Sequence, residues 1–326
     1  MMRSMAEPYP FAEFEWQTAL LDARAHRLCA RAGGDVRIDC AVEGASFIAE
    51  PAAPQDSVVI MAYNVERGYH ADEQLRALRQ DPTLPAPDVI LLNEVDRGCS
   101  RTGYRNLAAE YARALNMCYV FGAEFVELPR RGGNGGRIKS PCEHGNAILS
   151  RYPLGNVRLI RHQANVSWRR RVVPVLRIGE PRLGGRMALA ADVRIGRLLL
   201  RVYSVHFESG RHFAAHRREQ ALELIGDAGD LPHPTVIGGD MNVGAYLADL
   251  REGTAGEPVT QAFAERGWHD AHAALPAAER VTTNSGAVID LIMGSGPRFT
   301  EAGIGPAATW ANLSDHRPVW ARISLA

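Results

Sequence analysis

The sequence predicts an α/β fold built around a mixed β-sheet. Short apolar runs typical of strands alternate with amphipathic segments typical of helices over most of the 326 residues. Two of these runs, residues 187–195 and 198–207, are separated by Gly196-Arg197, which is the spacing of a two-residue β-hairpin. Hairpins join antiparallel strands and helical crossovers join parallel strands, so their combination indicates a mixed sheet rather than an all-parallel one.

The predicted strands are the segments in which Val, Ile, Leu and aromatic residues are concentrated. They cover residues 57–65, 88–95, 118–126, 146–150, 187–195, 198–207, 235–240, 288–293 and 318–325. Helices are predicted at about 70–80, 104–116 and 212–227, where apolar residues recur at helical spacing. Two loops rich in Pro and Gly, 127–144 and 174–186, are long enough to line a functional site.

Residues 1–55 precede this alternating pattern and are predicted to form an N-terminal helical extension, with an amphipathic helix at 11–32. The segment EPAAPQD, which starts at Glu50, is a plausible joint to a main domain at 56–326. The N-terminus has no continuous apolar stretch typical of a secretory signal, and no run of about 18 apolar residues could span a membrane. We therefore expect a cytoplasmic protein without a membrane span.

The charge of the chain is balanced overall but uneven along its length. The 37 basic and 37 acidic residues give a formal net charge of zero, so no global field favours nucleic acid or anionic lipid. Between Arg151 and Arg201, however, twelve arginines stand against two acidic residues, Glu180 and Asp192. This segment is either an arginine-rich solvated surface or a rim that attracts a phosphate-bearing substrate.

The cysteine pattern does not indicate a metal site or a disulfide framework. The chain has five cysteines, an odd number, scattered from Cys29 to Cys142. None is arranged in a CxxC or Cys/His spacing typical of zinc sites. We therefore expect no disulfide framework.

Polar residues stand at the ends of several predicted strands. In chain order they are Asn64, Glu94, His206, Asp240, Asn242, Asp290, Asp315 and His316. Each one alone is typical of a turn or of a structural histidine. Their recurrence on the predicted strands, in a fixed order, is not expected by coincidence.

The order of these residues, together with GNAILSRYP at 145–153, GGDMN at 238–242 and SDH at 314–316, resembles the endonuclease/exonuclease/phosphatase superfamily. That superfamily includes DNase I-like nucleases, exonuclease III-like AP endonucleases, neutral sphingomyelinases and inositol polyphosphate 5-phosphatases. The resemblance runs from about Ser57 to the C-terminus. It implies the DNase I-like fold, a four-layer sandwich of two packed mixed β-sheets flanked by helices, with the site residues at one edge.

The resemblance implies a metal-dependent reaction. Phosphodiester hydrolysis requires a cation to neutralise the phosphate, an activated water and donors for the developing charge. Mg²⁺ prefers hard oxygen ligands and keeps several waters, so few protein ligands suffice. By resemblance, Glu94 is the principal ligand of Mg²⁺ (or Mn²⁺), with Asn64 and Asp315 beside it.

The remaining strand-end residues receive catalytic roles by the same resemblance. Asp240 would orient and deprotonate the attacking water, and Asn242 would hold that geometry and bond a phosphate oxygen. His316 paired with Asp290 resembles the Asp–His dyad of the family, in which the histidine is either the base or a stabiliser of the phosphate; the carboxylate would raise its pKa. His206 would donate to a non-bridging oxygen or assist the leaving group.

Two further assignments stay open at this point. Glu143 stands where the DNase I-like branch has a glutamate that partners the histidine at 206, but a solvated loop glutamate would look the same. The cluster Trp168, Arg169, Arg170 and Arg171 could follow a nucleic-acid backbone and stack on a base, or it could be a solvated edge.

The sequence therefore predicts a divalent-metal-dependent hydrolase of phosphodiester bonds, nuclease-like, that uses in-line attack of an activated water on a substrate such as nucleic acid. The alternative is a lipid (sphingomyelinase-like) or small-molecule phosphoesterase. A non-catalytic scaffold on the same fold is a third reading, which the presence of all these site residues disfavours. The oligomeric state is not predicted.

Overall fold

The computed structural model describes residues 42–49, 52–129, 136–165, 182–229, 231–246 and 257–325. Every helix in these ranges is too short or too polar to cross a membrane. The helix predicted at 11–32 and the cluster Trp168, Arg169, Arg170 and Arg171 lie outside the described residues.

The described residues form fourteen strands and five α-helices. The strands are β1 (Glu43–Ser46), β2 (Ser57–Arg67), β3 (Val89–Arg97), β4 (Cys118–Glu127), β5 (Cys142–Ser150), β6 (Leu154–Arg161), β7 (Arg182–Gly184), β8 (Met187–Ile195), β9 (Leu198–His206), β10 (Thr235–Tyr246), β11 (His269–Asp270), β12 (Ala287–Ser295), β13 (Arg298–Ile304) and β14 (Val319–Ser324). The helices are α1 (Ala71–Gln80), α2 (Leu107–Leu115), α3 (Ala214–Ala228), α4 (Pro258–Ala264) and α5 (Ala307–Trp310). Short 3₁₀ helices cover Ser100–Thr102, Arg211–Phe213 and Ala277–Glu279.

The strands form two mixed sheets. The first has the order β1-β4-β5-β3-β2-β14-β13, with β7 paired to β4, and the second has the order β11-β12-β10-β9-β8-β6. Each sheet contains one parallel pair, β2 with β3 and β9 with β10, among antiparallel neighbours. The predicted mixed architecture is confirmed.

The two-residue hairpin between β8 and β9 is also confirmed. Ile195 is opposite Leu198, so the strands are connected by Gly196-Arg197 as the sequence predicts. Gly196 has a φ of 60°, the left-handed conformation that tight hairpin turns require and that glycine adopts without steric cost.

Three hydrophobic cores divide the molecule into four layers. The largest core lies between the two sheets and contains Ile60 and Leu91 from the first sheet and Leu189 from the second. Successive side chains of a strand point to opposite faces, so each sheet also has an outer apolar face. The outer face of the first sheet packs on α1 and α2, and that of the second sheet packs on α3 and α4. This is the predicted sandwich.

Several elements depart from the sequence-based assignment. Residues 43–46, predicted as part of a helical extension, form the edge strand β1, which pairs with β4. Strands β6, β7, β11 and β13 were not predicted either. Three of the four, β6, β11 and β13, are terminal strands of their sheets. Many side chains of β6 and β13 are partly or fully exposed, so the apolar alternation of these strands is weak.

The expectation of no disulfide is corrected by a bond between Cys99 and Cys142, whose Cα atoms are 5.0 Å apart. The two cysteines are separated by 43 residues, so no local spacing indicates the pair. The antiparallel pairing of β3 with β5, which puts Arg97 opposite Glu143, brings them together. The bond fastens the segment after β3 to the start of β5.

Candidate active site

One edge of the first sheet carries half of the predicted site. Strands β2 and β3 are parallel, so their carboxyl ends lie side by side, with Asn64 opposite Asn93 and Glu94 next in the chain. Strand β14 is antiparallel to β2, so the residues that precede it return to the same edge. Asp315 and His316 thus reach the end of β2 although they are distant in sequence.

The second sheet brings the other half to the same place. His206 ends β9 and lies directly opposite Asp240, the last residue of β10 that pairs with β9. Strand β12 is antiparallel to β10, so Asp290, near its beginning, is opposite Asp240. Strand pairing alone therefore assembles the predicted residues around Asp240.

The carboxylate of Asp240 is the centre of the site. Its Oδ2 lies 3.4 Å from His206 Nε2 and 3.8 Å from His316 Nε2, and it accepts a hydrogen bond from Asn64 Nδ2 at 3.2 Å. Its Oδ1 accepts from the backbone N–H of Asn242 at 2.9 Å. Burial raises the pKa of Asp240 and outweighs the opposite effect of the two histidines. A carboxyl with a raised pKa is suited to act as a general base near neutral pH.

His316 and Asp290 form a close pair beside Asp240. His316 Nδ1 is 2.9 and 3.0 Å from the two carboxylate oxygens of Asp290. Burial lowers the pKa of His316, but the charges of Asp290 and Asp240 outweigh it and hold that pKa well above its usual value. His316 is therefore an imidazolium that can donate from Nε2 to an anion.

Ser314 fixes the position of this histidine relative to β2. Its hydroxyl donates to the backbone oxygen of Asn64 at 2.8 Å and accepts from the backbone N–H of His316 at 3.0 Å. The side chain is buried, so both hydrogen bonds are shielded from water. Ser314, the first residue of the SDH motif, thus joins the two segments that carry the site.

A buried hydrogen-bond network of side-chain amides holds the backbone of Asp240 in place. The side-chain oxygen of Asn93 accepts from the backbone N–H of Asp240 at 2.9 Å, and its Nδ2 donates to Asn146 Oδ1 at 3.0 Å. Asn146 in turn donates to the backbone oxygen of Met187 at 3.2 Å, in the second sheet. The network crosses the interface between the sheets and holds the two halves of the site together.

The structure corrects the partner of His206. Its Nδ1 lies 3.4 Å from Glu124 Oε2, and Glu124 Oε1 accepts from Arg186 at 2.6 Å. Burial would raise the pKa of Glu124, but Arg186 and His206 lower it to about 2. Glu143, predicted for this role, forms an ion pair with Arg97 instead.

The two faces of the first sheet explain the correction. Glu143 lies on the same face of β5 as Ala147 and Leu149, which pack against the helices outside the first sheet. Gly122, two residues before Glu124, faces Met187 of the second sheet, so Glu124 belongs to the inner face on which His206 lies. The signal in the sequence was a charged residue within an otherwise apolar predicted strand.

Two of the predicted metal ligands, Glu94 and Asp315, are carboxylates that repel each other and the nearby Glu66. Glu94 Oε2 is buried without a hydrogen bond and lies 3.2 Å from a guanidinium nitrogen of Arg67. Burial and the neighbouring charge of Asp315 raise the pKa of Glu66, and burial and the charges of Glu94 and Asp240 raise that of Asp315. Hard oxygen donors with excess negative charge fit a divalent cation. Glu66, which accepts from the Asp315 backbone N–H at 3.0 Å, was not predicted.

A second arrangement could also hold a metal ion. Asp240, Asp290 and His316 place one potential ligand atom each within 4.8 Å of one another. In this group, however, the imidazolium of His316 already supplies a positive charge to both carboxylates. Glu94, Asn64 and Asp315 offer only oxygen ligands, which Mg²⁺ prefers, whereas among the described His, Cys, Asp and Glu residues only Asp240, Asp290 and His316 have three potential ligand atoms within 4.8 Å of one another.

Part of the arginine-rich segment lies inside the protein. Arg186 and Arg182 are buried and pair with Glu124 and with Glu127, the latter at 3.3 Å. Arg201 pairs with Asp192 at 3.2 Å. Among the described arginines of this segment, Arg182, Arg186 and Arg201 are thus neutralised by internal partners rather than displayed on a surface.

The fold agrees with those of several solved structures. An endonuclease/exonuclease/phosphatase protein from Beutenbergia cavernae DSM 12333 has a TM-score of 0.57 and 17% identity, with 83% of this chain and 72% of that chain covered. Humanised D. rerio TDP2 has a TM-score of 0.52 and 16% identity, covering 83% and 100%. The human Nocturnin catalytic domain, determined with bound sulfate, has a TM-score of 0.51 and 16% identity, covering 84% and 96%.

A sequence comparison identifies the family. No curated protein sequence gives a significant match. The model of the endonuclease/exonuclease/phosphatase family matches residues 61–316, which include the strand ends from Asn64 to His316. The chain belongs to the endonuclease/exonuclease/phosphatase family and is a hydrolase of phosphate esters.

Proposed function

We propose that this chain is a divalent-metal-dependent phosphodiesterase that cleaves nucleic acid by in-line attack of water. The observation that carries the proposal is the position of Asp240 between His206 and His316, 3.4 and 3.8 Å from its Oδ2. A base flanked by two imidazole donors suits a reaction that takes a proton from water and adds charge to a phosphate.

Each residue of the site has a separate role in the proposed reaction. Glu94, Asn64 and Asp315 would hold Mg²⁺ or Mn²⁺, which would neutralise the phosphate. Asp240 accepts the proton of the attacking water. The imidazolium of His316 donates from Nε2 to a phosphate oxygen, and its charge is maintained by Asp290.

His206 and Asn242 complete the arrangement. His206 Nδ1 faces Glu124, so Nε2 points to Asp240 and to the space where the phosphate would lie. Asn242 donates from Nδ2 to the backbone oxygen of Phe207 at 3.0 Å, and its backbone N–H fixes Asp240 Oδ1. Asn242 therefore orients the base, and a direct contact with phosphate would require this side chain to turn.

The small amount of exposed apolar surface among the described residues favours a water-soluble substrate over a lipid. Among the residues that the structure describes, the exposed large hydrophobic side chains are Tyr104 and Leu198. Two such residues do not make the contiguous apolar patch by which a phospholipase-type enzyme engages a bilayer. The sulfate in the Nocturnin structure supports the binding of a tetrahedral anion by this fold.

The proposal is tested by a substrate panel with Mg²⁺ or Mn²⁺. Plasmid DNA, single-stranded DNA, an abasic-site duplex, RNA, sphingomyelin and bis-p-nitrophenyl phosphate are compared, with Glu94→Ala as the blank. Cleavage of a nucleic acid that is absent from the blank would support the proposal. Turnover of sphingomyelin or the small ester alone would replace it with a lipid or small-molecule phosphoesterase.

A further inference from the structure

Arg67 and Glu94 form an ion pair at the place where the proposed metal would bind. A guanidinium nitrogen of Arg67 is 3.2 Å from Glu94 Oε2, and the two side chains are only 15% and 19% exposed. Arg67 therefore supplies much of the positive charge that this carboxylate needs.

The backbone is distorted on both sides of this pair. Glu66 and Arg67 have φ values of 47° and 62°, and Glu94 has a φ of 55°. The parallel register of β2 with β3 shifts at this point, from Asn64 opposite Asn93 to Arg67 opposite Val95. A non-glycine residue in the left-handed region costs about 1 kcal/mol or more and persists where the surroundings impose it, often at functional sites. Both strands thus leave their regular path where Arg67 meets Glu94.

Two buried carboxylates near Arg67, Asp96 and Glu127, have other arginines as partners. Asp96 accepts two hydrogen bonds from Arg101, both at 2.7 Å. Glu127 lies 3.3 Å from Arg182 and 3.5 Å from Arg101. A divalent cation on Glu94 would repel Arg67. Glu66 and Asp315 also lie near Arg67, and the same cation would offset their charge. The next anion to enter the site is the phosphate of the substrate.

We propose that Arg67 stands in for the divalent cation at Glu94, and that the bound cation releases Arg67 to bind the phosphate of the substrate. This inference rests on the proposed function and adds a substrate-binding residue to it. Arginine is suited to both roles because its planar guanidinium matches carboxylate and phosphate alike. The consequence is that Arg67 opposes the cation but assists the substrate.

The first test measures Mn²⁺ binding to the full chain by electron paramagnetic resonance, without substrate. Arg67→Gln removes the competing charge and should bind Mn²⁺ about fivefold more tightly, the scale of a partly exposed ion pair. Arg67→Lys keeps the charge and should resemble the wild type, and Glu94→Gln should lose the site. Arg105→Gln is the matched control, because Arg105 pairs at the surface with Asp72 and Glu110.

The second test measures the KM for bis-p-nitrophenyl phosphate at saturating Mn²⁺. Arg67→Gln should raise the KM roughly tenfold, as expected for loss of a charge-assisted contact to phosphate, with partial rescue by Arg67→Lys. A residue with a purely structural role would weaken metal and substrate binding together, whereas here the two change in opposite directions.

Unchanged or weaker Mn²⁺ binding by Arg67→Gln would overturn the proposal, as would wild-type Mn²⁺ affinity in Glu94→Gln. The Mn²⁺ titration requires no turnover. A protein that binds Mn²⁺ as expected but hydrolyses no phosphodiester would therefore contradict the proposed function and the phosphate role of Arg67, while leaving the competition at Glu94 established.

Discussion

Asp240 and Asp290 lie directly opposite each other in the antiparallel pairing of β10 with β12, and the imidazolium of His316 contacts Asp290 and faces Asp240. Two buried carboxylates at this separation repel each other, which contributes to the raised pKa of Asp240. The single positive charge of His316 offsets that repulsion. The pairing thus places Asp240, a base with a raised pKa, next to His316, whose raised pKa favours its positively charged form.

Replacement of Asp240 by Asn should abolish catalysis while preserving the fold. Asn keeps the shape and can still accept from Asn242, but it cannot take a proton. We expect kcat to fall by roughly 10³- to 10⁴-fold. Steady-state kinetics with bis-p-nitrophenyl phosphate and thermal unfolding provide the measurement. The exposed Asp72→Asn is the control, and retention of more than a tenth of the wild-type kcat would exclude Asp240 as the base.

Replacement of Asp290 by Asn should lower the pKa of His316. The folded-state pKa is raised, so the stabilising charge is complete below the unfolded value of about 6.5 and is lost as pH rises through the folded value. Without Asp290 that loss occurs at lower pH, and the alkaline limb of kcat/KM moves with it. NMR titration of the imidazole, assigned with His316→Gln, measures the shift. The same pKa in both proteins would contradict the dyad.

Glu124 and Glu143 should respond differently to replacement by Gln, although both are buried carboxylates paired with arginine. Glu124→Gln should lower kcat because His206 loses its partner, and Glu143→Gln should leave kcat nearly unchanged. Glu124→Gln removes a charge partner of the buried Arg186 and should cost about 3–5 kcal/mol of unfolding free energy. Glu143→Gln should cost less, because Arg97 also pairs with Glu43 at 2.6 Å. Urea denaturation and kinetics separate the two effects. Equal losses of kcat would argue against a specific role for Glu124.

The acid stability of the protein should depend on Glu124. Its folded-state pKa is lowered to about 2, so its contribution is complete above the unfolded value and is lost as pH falls through about 2. Urea denaturation from neutral pH downwards should show a smaller acid-dependent loss in Glu124→Gln than in the wild type. An identical pH dependence would mean that Glu124 is not held by Arg186 and His206.

Gly239 should not tolerate a side chain. Its φ is 145°, and an added Cβ would overlap the backbone oxygen of Val205 and lie 2.7 Å from Asn93 Oδ1. Gly239→Ala should destabilise the fold by about 3 kcal/mol or more and disturb Asp240. Gly226→Ala in α3, where no atom lies within 4 Å of an added Cβ, should instead stabilise it by about 0.5–1 kcal/mol. Thermal unfolding of both variants measures the contrast.

The sequence was sufficient for the strands that carry the site. Asn64, Glu94, His206 and Asp240 each follow a strongly apolar run, so the strands that carry them could be recognised from local pattern, although β2, β3 and β10 continue beyond the predicted ends. The helices α1, α2 and α3 were predicted for the same reason. The edge strands β1 and β13 were not, because they depend on hydrogen bonds from a neighbouring strand rather than on a pattern of their own.

Pairing between distant residues could not be read in this way. Glu124 and Glu143 both precede the GNAIL motif, so their positions in the sequence do not show which one contacts His206. The face of the sheet on which each side chain lies decides in favour of Glu124. The Cys99–Cys142 bond and the Arg67–Glu94 pair likewise follow from the register of β3 with its two neighbours.

By itself the sequence therefore determined the fold class, the strands that carry the site and the residue types that serve phosphoester hydrolysis, because these depend on local apolar periodicity and on side-chain chemistry. The tertiary structure alone decided which carboxylate lies beside His206, which arginine pairs with Glu94 and which cysteines form a disulfide. A shift of one residue in strand register sends a side chain to the opposite face of the sheet, and that choice is made by the packing of the whole sandwich.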